Sequence, residues 1–168
     1  MPKIIDNLEN RLIGEAKKQI AEAGYSAVTI RSVAKACGVG VGTVYNYFES
    51  KEALISAFML EDWKLCSVAI HAVSASSDKA VNVVRCMYDQ LCRFVQCHQA
   101  VICDEGAAAV FAGVSSRYHG LLRRQLADPL RKFCSSDFAS EFIAEAVLVW
   151  TVAGKSFEEI YGMVDKLF

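Results

Sequence analysis

Residues 29–54 read TIRSVAKACGVGVGTVYNYFESKEAL, and this stretch decides the fold. Thr29 stands where a helix N-cap belongs, with a hydroxyl able to take an orphan amide of the first turn. Ile30, Val33, Ala34 and Cys37 then recur at helical spacing, which predicts a helix of about two turns. Gly38 supplies a residue tolerant of positive φ at its end. Beyond Gly38-Val39-Gly40 the spacing predicts a second short helix from Val41 to Phe48, and Ser50 is placed to cap a third that begins at Lys51. Two short helices joined by a tight glycine turn can lay one helix in the DNA major groove while the other braces it across the backbone. Ala34 and Gly38 allow the helices to approach closely, and Val33, Val39, Val44 and Phe48 can fill the space between them.

Outward from this stretch the periodicity stays helical. Leu8, Leu12, Ile13, Ala16, Ile20 and Ala23 mark an amphipathic helix that stops at Gly24. Downstream, a long helix from Lys51 runs through Trp63 toward Ala72, the polar run Ser74–Asp78 breaks it, and Val81 to Val95 resume the pattern. Ala100 to Ala112 is expected to end at Gly113, and Ser115 to Phe133 to form a separate helix bent near Pro129. Asp137 is expected to cap the helix holding Phe138, Phe142, Ile143, Val147 and Trp150, and Ser156 a last one ending near Phe168. No segment alternates like a strand, and the only prolines are Pro2 and Pro129, so an all-α fold is expected. The expected division is a three-helix DNA-binding domain over 1–50 and a helical regulatory and dimerisation domain over 51–168.

With 54% hydrophobic residues, a chain of 168 residues can bury a true core without covalent staples. A formal net charge of −1 argues against a protein that coats nucleic acid nonspecifically. Residues 1–55 carry seven Lys/Arg against six Asp/Glu, too small an excess to carry a DNA-binding argument, which rests on local placement instead. The seven cysteines are odd in number and irregular in spacing, and no secretory signal opens the sequence; they read as reduced thiols of a cytoplasmic protein. Cys86, Cys92, Cys97 and Cys103 lack the Cys-x-x-Cys spacing of zinc and dithiol sites, so no metal is expected. There is no apolar run of the roughly 18 residues a membrane span needs. Nucleophile–base sets, phosphate-cradling glycine loops and helical zinc motifs are absent too, so neither catalysis nor a cofactor is expected.

The stretch quoted above closely resembles the DNA-binding signature of the TetR family. The resemblance lies in Ala34-x-x-x-Gly38-Val39 at the turn, Gly42-Thr43-Val44-Tyr45 opening the second helix, the Tyr47-Phe48 pair, and Ser50-Lys51-Glu52-x-Leu54 leading into the next helix. It extends upstream to Gly24-Tyr25 and covers roughly the first third of the chain. It implies that Thr43, Tyr45, Asn46 and Tyr47 face DNA, that Arg31 reaches a base or phosphate, and that Lys51 holds a phosphate. Arg suits guanine, Asn suits adenine or a phosphate, and Thr and Tyr hydroxyls suit phosphate oxygens. Gly40 stands where many members carry a Ser or Thr cap, and Val41 where many carry a polar or basic residue.

The resemblance further implies a homodimer on a palindromic operator of double-stranded DNA, joined through the segments around 138–153 and 157–168. It also implies a repressor released by a small molecule bound among the C-terminal helices. Candidate pocket residues are Met59, Trp63, Met87, Phe94, Phe111 and Trp150, all of which serve equally well as ordinary core. His71, His98 and His119 are candidates to orient a polar group of the ligand or to sit in structural hydrogen bonds. The alternatives are regulation by a protein partner or by thiol oxidation, and a small helical enzyme that assembles its site from scattered residues.

Overall fold

The computed structural model describes residues 7–168, with the backbone alone for residues 108–118. In chain order it contains α1 (Leu8–Ala23), α2 (Ile30–Ala36), α3 (Val41–Tyr45), α4 (Lys51–Ser76), α5 (Ala80–Cys97), α6 (Gln99–Ile102), α7 (Glu105–Ala127), α8 (Asp137–Val152) and α9 (Phe157–Val164). Two 3-10 segments, Asp128–Phe133 and Asp165–Leu167, follow α7 and α9, and no strand occurs among the described residues. The all-α expectation holds. The chain packs as two units, one of Met1–Glu61 with His98–Ala112 and one of Asp62–Cys97 with Gly113–Phe168.

In the first unit, α1 buries Leu8, Leu12, Ile13, Ala16 and Ile20, the stripe expected from their spacing, and ends on Gly24 at φ 80°. Thr29 caps α2 from an extended conformation: its Oγ1 accepts the Ser32 N–H at 3.0 Å, and the Thr29 N–H donates to Ser32 Oγ at 3.1 Å. The turn after α2 closes when the Val39 N–H reaches Ala34 O at 3.0 Å and the Gly38 N–H reaches Lys35 O at 3.2 Å, with Gly38 at φ 69°. Regular geometry in α3 stops at Tyr45 rather than Phe48, although the Phe48 N–H still bonds Val44 O at 2.9 Å. Two glycines and a run of β-branched and aromatic residues give α3 little intrinsic helix propensity. Val33, Ala34, Val44 and Phe48 are buried between α2, α3 and their neighbours, with Val39 packed beside them. Val101 and Ala107 from the His98–Ala112 segment join the same core.

The second unit is built on α8, whose buried residues Ser140, Ile143, Ala144, Val147, Leu148 and Thr151 follow a helical face. α5 packs against α8 and α9 through Val83, Val84, Met87 and Leu91. Each such side chain contributes about 1.5–3 kcal/mol when fully buried. The cap of α8 is Ser136, whose Oγ accepts the Ala139 N–H, so Asp137 is the first helical residue rather than the cap. A carboxylate there still faces the positive end of the helix dipole. Ser156 caps α9 as expected, in a reciprocal pair with Glu159.

Two further boundaries differ from what the sequence predicts. α4 persists to Ser76, through most of the polar run, because Lys132 Nζ donates to the Ser74 carbonyl and, at 2.8 Å, to that of Ser77. Gly113 ends nothing: Glu105–Ala127 is one helix, preceded by the separate short α6. A glycine inside a helix costs about 1 kcal/mol relative to alanine but, unlike proline, keeps both backbone hydrogen-bonding groups.

Candidate nucleic-acid interface

Burial of one face of α3 fixes what the other can present. Val44 is completely buried and Phe48 is 5% exposed, whereas Tyr45 and Tyr47 are 53% and 44% exposed. Asn46 is exposed with them, and Thr43 is half-buried. Arg31, the second residue of α2, is also exposed. Thr29, Arg31, Val41, Tyr45, Ser50 and Lys51 line an open depression of about 630 Å³ that gathers α2, α3 and the start of α4. Of the six residues expected to face DNA, Arg31, Tyr45 and Lys51 line this depression, and Thr43, Asn46 and Tyr47 are not among its lining residues.

Lys51 is half-buried and already engaged. Its Nζ donates to Tyr25 O at 2.7 Å and lies 3.8 Å from the centre of the Tyr25 ring. Burial pulls its pKa below the ordinary lysine value, against the opposing pull of Glu52 and Asp104. Tyr25 donates its hydroxyl to Glu52 Oε1 at 3.1 Å, and burial, followed by the Glu52 charge, pushes its pKa up to about 12. This Tyr25–Lys51–Glu52 group ties the turn after α1 to the first turn of α4.

A second polar clasp was not anticipated from sequence. Asp104 accepts the Ala107 N–H at 3.0 Å, starting α7, and both of its carboxylate oxygens accept from Ser26 Oγ, at 2.9 and 3.1 Å. These donors, the Ala107 amide foremost, hold the Asp104 pKa below the ordinary carboxylate value. A Cβ on Gly106 would stand 3.1 Å from Asp104 Oδ1 and 3.4 Å from Ser26 Oγ, so the missing side chain leaves the clasp room. An aspartate directly before a helical run is a legible capping signal; its reach to Ser26, 78 positions away, is not.

The candidate ligand residues divide between the units. In the second, Trp63 donates its indole N–H to Gln125 Oε1 at 2.6 Å and meets Phe94 edge-on at 5.7 Å between ring centres, while Met87 is fully buried in the same core. Met59 packs half-buried against the core of the first unit, and Trp150 is 50% exposed on α8. Phe111 lies outside the residues whose side chains are described. His98 is buried and stacks on Phe58, His71 lies 3.4 Å from Asp128, and His119 lies 3.4 Å from Glu145. Burial pushes the thiols of Cys66, Cys86 and Cys134 up, away from the reactive thiolate. Among the described residues no group of three or more His, Cys, Asp or Glu is arranged to hold a metal, and no helix is long and apolar enough to cross a membrane.

A capped brace helix, a glycine-closed turn and a second short helix make a helix-turn-helix unit. Residues 12–58 match the family described as "Bacterial regulatory proteins, tetR family". This segment is therefore similar to the helix-turn-helix domain of the TetR family of transcriptional regulators. It is 36% identical over 52 residues to the HTH-type transcriptional regulator UidR of Escherichia coli, a match spanning 31% of this chain and 26% of UidR. It is 32% identical over 91 residues to the HTH-type transcriptional repressor Rv1474c of Mycobacterium tuberculosis, spanning 52% of this chain and 46% of that protein. The matches thus take in about a quarter of one curated relative and under half of the other. The fold is shared more widely. A transcriptional regulator from Cytophaga hutchinsonii aligns with a TM-score of 0.67 at 18% identity, covering 96% of this chain and 92% of its own. The fatty acid degradation regulator FadR of Bacillus halodurans aligns with a TM-score of 0.56 at 19% identity, covering 98% and 94%.

Proposed function

We propose that this protein is a dimeric, cytoplasmic repressor that grips a palindromic DNA operator through α2 and α3 and lets go when a small molecule binds among its C-terminal helices. The observation that carries the reading is the division of residues 41–48: Val44 and Phe48 are buried, while Tyr45, Asn46 and Tyr47 are exposed, with Tyr45 lining the same depression as exposed Arg31. In this reading residues 1–50 are the DNA-binding part and 51–168 the regulatory and dimerising part. Arg31 and Asn46 read base edges, guanine and adenine respectively, while Thr43, Tyr45, Tyr47 and Lys51 hold phosphates. Lys51 has N–H donors to spare beyond the one given to Tyr25 O.

Two such units must stand at a fixed separation to enter successive major grooves, roughly 34–36 Å apart. Exposed apolar side chains on the last two long helices support a joint there: Phe138 is 77% exposed, Phe142 53%, Trp150 50% and Met163 79%. Paired across a two-fold axis, α8 and α9 of two copies form a four-helix bundle. A ligand that favours a dimer with the wrong spacing weakens DNA binding by linkage, and a coupling of about 1–3 kcal/mol changes affinity by roughly 5–150-fold. α4 is the lever in this scheme, since it starts beside the DNA-facing surface at Lys51 and continues to Ser76. The sign of regulation follows the repressor named in Mycobacterium tuberculosis.

Selection of bound sequences from random duplex DNA tests the proposal. A palindrome with half-sites about one helical turn apart is expected. Arg31→Ala and Asn46→Ala should each relax the selected sequence at one position per half-site, at a cost of about 1–3 kcal/mol. Absence of any enriched sequence, or a monomer at every concentration that binds DNA, would overturn it.

A further inference from the structure

We infer that Val41 is a specificity-determining residue that recognises the C5-methyl group of a thymine in the major groove. The inference rests on the DNA-binding reading above and adds to it what the operator must contain. Val41, the first residue of α3, is 37% exposed and lines the same depression as Arg31 and Tyr45. Nothing inside the protein claims it, since the interior of the helix pair is filled by Val33, Ala34, Val44 and Phe48.

The residues on either side of it sharpen the case. Gly40 and Gly42 have ordinary backbone angles, and an added Cβ would meet nothing within 4 Å at Gly42 and only Thr43 Oγ1 at 3.8 Å at Gly40. Neither glycine is demanded by the fold, and a glycine inside a short helix is a local cost. Their effect is outward: no side chain on either adjacent residue covers Val41, whose branched side chain stays partly open on the depression.

What it would meet there is set by DNA chemistry. Among the groups the four base pairs present in the major groove, the thymine methyl alone is apolar; the others are hydrogen-bond donors and acceptors that valine cannot satisfy. Burying any of those against Val41 would leave it unpaired, so valine selects for thymine and against the other bases at that step. No Lys, Arg, Asp or Glu occurs from Val41 to Phe48, so α3 has no charge of its own with which to discriminate. Apolar contact at Val41 supplies what a polar residue would supply by hydrogen bonding.

The test uses the full chain and synthetic duplexes carrying its selected operator, with each thymine replaced in turn by deoxyuridine, which lacks only the methyl. One thymine per half-site is expected to show about fourfold weaker binding for each methyl removed, the worth of one buried methyl group. Val41→Ser, at an exposed position that leaves the core intact, is expected to bind the thymine and deoxyuridine operators equally, since it carries no methyl to set against the base. Insensitivity of the wild-type protein to every replacement would overturn the inference while leaving DNA binding in place. So would a methyl effect that survives undiminished in Val41→Ser or disappears only in Tyr45→Ala. Failure to select any duplex would instead remove the DNA-binding reading, and this inference with it.

Discussion

Lys51 is given two roles in the proposed DNA-bound protein, one structural and one at a phosphate. Its ammonium is spent partly on the Tyr25 carbonyl and ring, which fixes the turn after α1, and only its remaining donors are left for a phosphate. Lys51→Ala should therefore lower stability by about 1 kcal/mol in urea unfolding, the net worth of a typical hydrogen bond. It should also flatten the salt dependence of operator binding by about one unit, the signature of one lost phosphate contact. A changed slope with unchanged stability would refute the structural half of this account, and the reverse result the functional half. Glu159 gives a cleaner pH test. The Ser156 amide, followed by Lys155 and the Ser156 hydroxyl, draws its pKa from 4.5 down to about 2. Folding thus favours the carboxylate, so its contribution is complete above about pH 4.5 and fades as pH falls toward 2. Glu159→Gln should make the fall of the melting temperature across that interval shallower, and an unaltered pH profile would contradict the capping role.

Within the elements, the turn between α2 and α3 is held by a positive-φ glycine and two backbone hydrogen bonds beside the proposed DNA-facing surface. Gly38 sits at φ 69°, where a Cβ crowds the following carbonyl, although nothing else lies within 4 Å of that position. The penalty of a substitution is therefore conformational. Gly38→Ala should cost about 1–2 kcal/mol in thermal or denaturant unfolding without creating any clash. A neutral outcome would mean that the turn relaxes to another conformation. The short α3 is held by this turn on one side and by Val44 and Phe48 beneath it, since its own composition gives it little reason to be helical. At the start of α7, Asp104 binds Ser26 as well as its own helix, so the residues from His98 to Ala112 are fastened to the turn that precedes α2.

At the level of the whole molecule, the unsolved energetic problem of a single chain is its uncovered apolar surface. Phe138 and Phe142 lie one turn apart on α8 with ring centres 6.3 Å from each other, both largely exposed, and Met163 on α9 is more exposed still. Large exposed aromatics clustered in this way are the mark of an association surface. Phe142→Glu should convert the proposed dimer to monomer in sedimentation or light scattering, because a carboxylate buried at a two-fold joint has no partner. Operator affinity should fall with it, since one helix-turn-helix unit then loses the half-site held by its twin. A Phe142→Glu protein that stays dimeric would place the joint elsewhere.

Much of this protein is legible in its sequence because its signals are local. The stripe of α1, the Thr29 and Ser156 caps, the Gly38 turn and the burial of Val44 and Phe48 depend on neighbours a few residues apart, and all appear where the spacing places them, while the exposure of Tyr45, Asn46 and Tyr47 is what the family resemblance implied. Polar runs and glycines were poorer guides to where helices end. α4 runs on to Ser76, with a lysine more than fifty positions away bonding the Ser74 carbonyl, and α7 passes through Gly113 because a glycine leaves the backbone ladder whole. The partnership of Lys51 with Tyr25, that of Asp104 with Ser26, and the assignment of Trp63 to a core but Trp150 to a surface were decided by tertiary packing alone. Helical periodicity names the face of a helix that is apolar, but only the assembled fold supplies, or withholds, something for that face to touch.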